Sequence, residues 1–228
     1  MSTSHPPSST EYTAFFKHRL REILTESSEL VWVSSRVPWE ALLPAYSLGI
    51  FPWPGDDPDL FPWVCPLERG VLPFDRLHVG KSTRRQLAKS GYRVTLDTAF
   101  EDVIRACAEA PGRETWIHPK MIRAYTQAYQ LGFAHSVEVW DTQNQLIGGL
   151  YGIDTGTVFS GESMFHRRPN AGKAAILHLV EHLRTRGHTL LDIQQLTPHL
   201  AALGAEEWSR ETYLRFLLSQ ACPQFPVA

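Results

Sequence analysis

The stretch between Val31 and Pro73 constrains the fold most, because it is dense in both proline and aromatic residues. Prolines at positions 38, 44, 52, 54, 58, 62, 66 and 73 are interleaved with Trp32, Trp39, Phe51, Trp53, Phe61 and Trp63. Long regular elements do not run through so many prolines, since each one removes a backbone donor and restricts φ. So many aromatic side chains nevertheless indicate packing. We therefore expect a disordered tail over residues 1–10, then a small, irregular N-terminal domain over residues 11–70 with a ligand-binding face.

Beyond residue 70 the pattern becomes regular and predicts a second domain over residues 71–228. Apolar periodicity and capping residues predict helices over residues 11–26, 82–89, 98–110, 119–130 and 171–186, with shorter helices after 197 and 209. Strands are predicted over residues 92–96, 135–140, 145–152, 157–165 and 189–194. Glycines inside the strand over 145–152 indicate a bulge or a close backbone approach. The expected fold class is α/β, with helices flanking a mixed sheet.

Charge and composition exclude several classes of protein. The 228 residues contain 22 Lys+Arg and 24 Asp+Glu, a formal net charge of −2, which excludes an overall basic coat for nucleic acid but not a local patch. The three cysteines lie far apart, without zinc-site spacing. No apolar run approaches the roughly 20 residues that a membrane helix needs. We expect a cytoplasmic protein with no membrane partner.

Basic residues are segregated in one part of the second domain. The segment from Arg76 to Arg93 contains Lys81, Arg84, Arg85 and Lys89 and no acidic residue. Such a segment is typical of a surface that binds the phosphates of a nucleic acid. It is also typical of a solvated helix face, and the spacing alone leaves both interpretations open.

Two acidic residues interrupt apolar strands, Glu162 in the strand over 157–165 and Asp192 in the strand over 189–194. If these strands are neighbours, the two carboxylates converge with Gln194 in a low-dielectric place that suits catalysis. If the side chains alternate outwards, they face solvent. A separate H-x-x-E-H match over residues 178–182 lacks a clear third ligand, so an exposed helix face is favoured and no metal is expected.

Seven blocks occur in an order and spacing that together are specific. They are residues 49–53 (Gly-Ile-Phe-Pro-Trp), 114–117 (Glu-Thr-Trp-Ile), 135–140 (His-Ser-Val-Glu-Val-Trp), 148–152 (Gly-Gly-Leu-Tyr-Gly), 161–165 (Gly-Glu-Ser-Met-Phe), 192–194 (Asp-Ile-Gln) and His199 through 203–205 (Leu-Gly-Ala). In these blocks the chain resembles the bacterial leucyl/phenylalanyl-tRNA–protein transferase family from about residue 40 to 217. The resemblance implies a small N-terminal domain and a C-terminal domain with the acyl-CoA N-acyltransferase (GNAT) fold.

The resemblance also implies an activity and its partners. Leucine or phenylalanine would pass from Leu-tRNA or Phe-tRNA to the N-terminal Arg or Lys of a protein or peptide, which marks the acceptor for degradation by the N-end rule. No metal or organic cofactor is expected. An aminoacyl ester is already activated, so the enzyme mainly aligns the amine and stabilises developing charge.

The resemblance assigns roles residue by residue. Asp192 and Gln194 match the catalytic pair, the carboxylate polarising or accepting a proton and the amide orienting the reactants, and Glu162 matches the position that holds the substrate amine. Trp53 and Trp116 match the aromatic side chains that stack on the 3′ adenosine of tRNA. The aminoacyl side-chain pocket would be formed by Leu150, Phe159, Met164 and Leu191. The basic residues Lys81, Arg84, Arg85 and Lys89 would hold tRNA phosphates.

Two alternatives remain. A GNAT-fold N-acyltransferase with another acyl or aminoacyl donor is one, although the chain lacks the glycine-rich pyrophosphate loop of acyl-CoA enzymes. A non-catalytic RNA-binding module is the other. The joint presence of Glu162, Asp192 and Gln194 argues against it, because buried acids gain nothing in binding phosphates.

Overall fold

The computed structural model describes residues 7–53, 55, 57, 59–110 and 117–219. Its helices are α1 (Ser9–Glu26), α2 (Trp39–Tyr46), α3 (Lys81–Ser90), α4 (Phe100–Ala108), α5 (Pro119–Gln130), α6 (Ala171–Thr185), α7 (Pro198–Ala201) and α8 (Arg210–Ser219). Its strands are β1 (Leu30–Ser34), β2 (Phe51–Pro52), β3 (Phe61–Val64), β4 (Glu68–Pro73), β5 (Arg93–Leu96), β6 (Ala134–Trp140), β7 (Leu146–Asp154), β8 (Phe159–His166), β9 (Leu190–Gln194) and β10 (Glu206–Ser209).

A seven-stranded mixed sheet organises the second half of the chain. Its strand order is β10-β4-β9-β8-β7-β6-β5, and every pairing is antiparallel except the parallel pair β8–β9. In that pair Ser160 lies opposite Asp192. The strands that carry Glu162 and Asp192 are therefore neighbours, which was the condition for their side chains to converge.

Consecutive glycines in β7 allow a helix to approach each face of this sheet. A Cβ on Gly148 would lie 2.7 Å from the Cβ of Ala171 in α6, and one on Gly149 would lie 3.2 Å from Val103 in α4. Because successive strand residues point to opposite faces, α6 and α4 cover opposite sides of the sheet. This confirms the predicted α/β class and the close backbone approach at these glycines.

The proline-rich stretch is more regular than predicted. It contains α2 and a three-stranded antiparallel sheet of order β1-β3-β2. Pro44 lies within α2 and Pro62 within β3, so the prolines interrupt short elements without abolishing them. Long elements were correctly excluded, but the expectation of an irregular segment was wrong.

The small sheet does not have a core of its own. Phe16 of α1, Leu42 of α2 and Trp63 of β3 belong to the same buried cluster as Val103 of α4 and Tyr125 of α5. Strand β4, over residues 68–73, crosses the boundary expected after residue 70 and pairs with both β9 and β10. The division into domains over 11–70 and 71–228 stays a prediction.

The N-terminal helix begins earlier than predicted. It starts at Ser9, and Ser8 forms a capping box with Glu11, whose backbone N–H donates to the Ser8 hydroxyl while its carboxylate accepts from the Ser8 backbone. Residues 1–6, the rest of the expected tail, lie outside the described residues.

Membrane-spanning helices and metal-binding clusters are both absent from the described part of the chain. No helix there is long and apolar enough to cross a bilayer. No group of three or more His, Cys, Asp and Glu side chains there is placed to hold a metal ion, and this includes the H-x-x-E-H segment of α6.

Candidate active site

A cavity of about 470 Å³ opens at the carboxyl end of β9, between β7, β8 and α6. Its apolar wall is formed by side chains from the five elements β7, β8, α6, β9 and α7: Leu150, Met164, Ile176, Leu179, Leu191, Ile193 and Leu200. Glu162 and Gln194 supply polar groups, and Trp53 stands at its edge. An apolar cavity with a few convergent polar groups is the usual form of a small-molecule site.

Three of the four residues predicted for an apolar pocket line this cavity, namely Leu150, Met164 and Leu191. Phe159 does not line it. Its side chain is 1% exposed, and a Cβ on Gly152 would lie 2.4 Å from its ring, so Phe159 fills the gap that Gly152 leaves in β7. Phe159 belongs to the same buried cluster as Leu150 and Leu191 without lining the cavity, and its place in an aminoacyl pocket stays a prediction.

Glu162 lies at the centre of a buried hydrogen-bond network. Its Oε1 accepts from the Tyr46 hydroxyl and from Gln194 Nε2, each at 2.6 Å, and its Oε2 accepts from the Tyr125 hydroxyl at 2.8 Å. The two tyrosine hydroxyls are themselves 2.6 Å apart. The network joins β8 and β9 to α2 and α5.

The number of protons in this network depends on the charge of Glu162. Three short oxygen–oxygen contacts link Glu162, Tyr46 and Tyr125, but the two hydroxyls supply only two protons while the carboxylate is ionised. A proton on Glu162 gives each contact its own donor. Burial, the largest influence, raises the pKa of Glu162 to about 7, against the lowering effect of its three hydrogen-bond donors. Glu162 is thus able to gain or lose a proton near neutral pH.

Asp192 has the opposite environment. Arg69 Nε donates to its Oδ1 at 2.8 Å and Arg69 Nη2 to its Oδ2 at 2.6 Å, a bidentate ion pair. Ser160 and Tyr213 also donate to Oδ2, at 2.7 and 2.9 Å. Burial acts to raise the pKa of Asp192, but Arg69 and the other donors hold it below its usual value. Asp192 therefore remains ionised at neutral pH.

Asp192 also restrains the backbone beside the cavity. Gln194 has φ of +62°, in the left-handed region that is unfavourable for a residue with a side chain. Its backbone N–H donates to Asp192 Oδ1 at 3.0 Å, which helps to hold this conformation and directs its side chain to Glu162.

The environment of Asp192 bears on its predicted role in the catalytic pair, which stays a prediction. Its side chain is 0% exposed, five donors surround it, and it does not line the cavity. The predicted pair lets this carboxylate either polarise the reactants or accept a proton, and these contacts argue against the second alternative. Of the two acids, Glu162 is the one that lines the cavity, and its pKa is raised to about 7.

Arg69 connects this part of the sheet to the N-terminal segment. Its Nη1 donates to the carbonyl of Gly49 at 3.0 Å, and its guanidinium lies 4.4 Å from the ring centre of Phe51 and 4.7 Å from that of Tyr213. Sequence analysis missed Arg69, because no strand was predicted there and Arg69 follows Glu68 in what reads as an ordinary charged pair. It also missed Tyr46 and Tyr125, for which nothing local separates a functional tyrosine from an ordinary core aromatic.

The residues predicted to bind nucleic acid are partly described. Trp53 is half-buried and follows β2 at the cavity edge, where its backbone N–H donates to Pro62. Trp116, its predicted partner, lies outside the described residues. The basic residues of α3 (Lys81, Arg84, Arg85 and Lys89) are all exposed, and α3 buries no residue. This face is exposed to solvent, and its binding of phosphate groups stays a prediction.

Several known proteins are similar to this chain. The family model described as leucyl/phenylalanyl-tRNA protein transferase matches residues 71–218. The chain is 47% identical over 195 residues to the leucyl/phenylalanyl-tRNA–protein transferase of Maridesulfovibrio salexigens, covering 84% of this chain and 81% of the relative. It is 48% identical over 183 residues to the protein of the same name from Ruegeria pomeroyi, covering 79% and 85%. Among solved structures, FemX aligns with a TM-score of 0.49 at 12% identity, covering 88% of this chain and 75% of FemX.

Proposed function

Because this chain belongs to the leucyl/phenylalanyl-tRNA–protein transferase family, we propose that it transfers leucine or phenylalanine from aminoacyl-tRNA to the N-terminal amine of a protein. The single observation that carries the proposal at the site is the cavity, whose apolar wall ends at Glu162 and Gln194. The wall receives the amino-acid side chain, and the polar end receives the ester and the attacking amine.

The reaction needs one proton acceptor. The acceptor nitrogen attacks the ester carbonyl carbon, the C–N bond forms, and the bond from that carbon to the ribose oxygen breaks. We propose that Glu162 takes the proton from the amine and returns it to the departing ribose oxygen. Its pKa of about 7 suits both directions at neutral pH, and the proton completes its hydrogen bonds with Tyr46 and Tyr125.

Gln194 and Asp192 have separate roles in this proposal. Gln194 donates to Glu162 Oε1 and lines the cavity, so its amide orients Glu162 and lies beside the reacting atoms. Asp192 is a positioning residue, because it acts through the backbone of Gln194 and does not reach the cavity.

The tRNA lies across the surface that leads to this cavity. Trp53 at the cavity edge stacks on the 3′ adenosine, and the exposed basic face of α3 holds phosphates without reading sequence. Trp116 remains the second stacking residue of the proposal. Because charged tRNA is found in the cytoplasm, the proposal also assigns the protein to that compartment.

The finer part of the proposal is an acceptor with N-terminal Arg or Lys, whose modification marks the acceptor for degradation. The charge beside the cavity supports it. A second cleft shares Trp53 and Gln195 with the cavity, and its described lining contains three carboxylates (Glu29, Glu68 and Glu207) and no basic residue. Glu162 and Asp192 are buried and already hydrogen-bonded, so the acceptor's side chain has a better counter-charge in this cleft.

Transfer of labelled leucine tests the function directly. Leu-tRNA is offered with two peptides that differ only in an N-terminal Arg or Ala. We expect transfer to the Arg peptide alone. If the protein binds charged tRNA but transfers leucine to neither peptide, the proposed acceptor with N-terminal Arg or Lys is contradicted. If it fails to bind charged tRNA, the proposed function is contradicted. Glu68→Gln with Glu207→Gln should reduce the preference for Arg over Ala, and equal preference in this variant and the wild type would refute the role of the cleft.

Replacement of Glu162 by Gln tests the proton transfer. We expect Glu162→Gln to lower kcat by roughly 10²- to 10⁴-fold, the usual range for loss of a general base, while KM for tRNA changes little. Glu181→Gln, an exposed carboxylate on α6, is the matched control. A Glu162→Gln enzyme with normal turnover would refute the assignment.

A further inference from the structure

The face of α6 that borders the cavity lacks a side chain at one position. Gly172, Ile176 and Leu179 are spaced four and three residues apart, so they lie on one face of the helix. Ile176 and Leu179 line the cavity. Gly172 lies one turn before them and is buried. Its backbone has helical rather than left-handed geometry, so the conformation does not require a glycine at this position. Glycine destabilises such a position relative to alanine, so its presence calls for another reason.

Met164 occupies the space that Gly172 leaves. A Cβ on Gly172 would lie 3.0 Å from Met164 Sδ, 3.3 Å from Cε and 3.7 Å from Cγ. The first two distances are tighter than ordinary van der Waals contacts, so one of the partners would have to move by a few tenths of an ångström. The Met164 side chain is therefore folded back against bare helix backbone.

The helix is the partner that cannot move. Ala171, the residue before Gly172, is fully buried against the glycine gap of β7, where a Cβ on Gly148 would already be only 2.7 Å from its own Cβ. Met164 lines the cavity, and its side chain is flexible. A methyl group added at Gly172 would consequently push Met164 into the cavity.

We propose that Gly172 sets the depth of the aminoacyl side-chain pocket, by leaving Met164 room to withdraw against α6. This inference rests on the proposed function, because it takes the cavity as the site of the leucyl or phenylalanyl side chain. The room beside Gly172 deepens the pocket and so favours the longer phenylalanyl group relative to leucyl. Gly172 is thus a specificity-determining position that touches the substrate only through Met164.

Gly172→Ala separates specificity from stability. It should raise the melting temperature or leave it unchanged, since alanine favours the helix. It should also lower the ratio of kcat/KM for Phe-tRNA to that for Leu-tRNA by roughly tenfold, the lower limit for a change of one methylene in an apolar pocket. Both substrates are measured with one acceptor peptide that begins with Arg.

Met164→Ala provides the matched control, because it removes the atoms that the new methyl group would meet. The ratio of kcat/KM for Phe-tRNA to that for Leu-tRNA should be the same in Met164→Ala and in the double variant that combines Met164→Ala with Gly172→Ala. The effect of Gly172→Ala is thus expected to disappear when Met164 is shortened. Three results would overturn the inference while leaving the proposed function intact. They are an unchanged kcat/KM ratio in Gly172→Ala, an equal loss of kcat/KM for both substrates, and a change of the ratio that persists without the Met164 side chain. Transfer of neither amino acid by the wild type would overturn the proposed function, and the pocket assignment with it.

Discussion

Removal of the charge of Arg69 tests the reasoning about the buried ion pair. Arg69→Met keeps a long side chain but leaves the Asp192 carboxylate, 0% exposed, without its counter-charge. Loss of one partner of a buried ion pair typically costs about 3–5 kcal/mol, mostly because the other charge remains buried and unpaired. Because the free energy of unfolding of a small protein is about 5–15 kcal/mol, this cost is a large fraction of the total stability. We expect Arg69→Met to be folded but strongly destabilised.

A double variant isolates the cause. Arg69→Met with Asp192→Asn removes both charges, and the asparagine oxygen still accepts from neighbouring donors. If the unpaired charge is the main cost, the double variant should be more stable than Arg69→Met by a few kcal/mol, which is measured as the coupling energy of the double-mutant cycle. Equal stability of the single and double variants would refute the argument and would show that packing of Arg69 against Phe51 and Tyr213 dominates.

The pH dependence gives an independent check. In the wild type the pKa of Asp192 is lowered in the folded state, so its contribution to stability is present above the unfolded pKa and is lost as pH falls through the folded value. Without Arg69, burial raises that pKa instead. The Arg69→Met variant should therefore lose stability as pH rises from about 4, the unfolded pKa of aspartate. Urea unfolding at pH 5 and pH 8, followed by tryptophan fluorescence, measures both effects.

Three further predictions concern the acid, the aromatic edge and the basic helix. The pKa of Glu162 is raised in the folded state from 4.5 to about 7, so its contribution to stability is fully present below the unfolded pKa, and up to about 3 kcal/mol is lost as pH rises to 7 and above. The free energy of unfolding, measured in urea, should therefore depend less on pH in Glu162→Gln than in the wild type. An equal pH dependence in both proteins would contradict the burial argument. Trp53→Ala should weaken binding of charged tRNA by about 1–3 kcal/mol in filter binding, and unchanged affinity would remove Trp53 from the tRNA site. Gln should be substituted for the exposed basic residues of α3 (Lys81, Arg84, Arg85 and Lys89), and the slope of log K for tRNA binding against log salt should then fall by about one for each phosphate that α3 no longer neutralises. Arg215→Gln, exposed on α8, is the control and should leave this slope unchanged. An equal effect of both changes would indicate a non-specific effect of charge.

Local sequence rules predicted much of the second half of the chain. Helix α5 begins and ends at the predicted residues, 119 and 130, and β6, β9 and α6 differ from prediction by one residue at one end. These elements follow from capping residues and apolar periodicity, which act within a few residues. The short strands β1 to β3 were missed because each is defined by its pairing partners, and prolines within β2 and β3 mask the local strand signal.

The candidate site shows the same contrast. The interruption of two apolar strands by Glu162 and Asp192 marked both acids as candidates, but whether they converge beside Gln194 or face solvent was left open until the pairing of β8 with β9 was known. Their different protonation could not be predicted, because it depends on residues far away in the chain. Tyr46 lies 116 residues before Glu162, and Arg69 lies 123 residues before Asp192.

The sequence by itself determined the fold class, the order of most regular elements, the family resemblance and the two acids at the site. These follow from residue type and spacing, which are properties of the chain. Only the tertiary structure decided which acid has a pKa near neutral pH, which predicted pocket residue does not line the cavity, and that a glycine on α6 gives Met164 its space. Each of these depends on burial and on contacts between distant segments, because a carboxylate's pKa and a cavity's shape are set by everything that surrounds them.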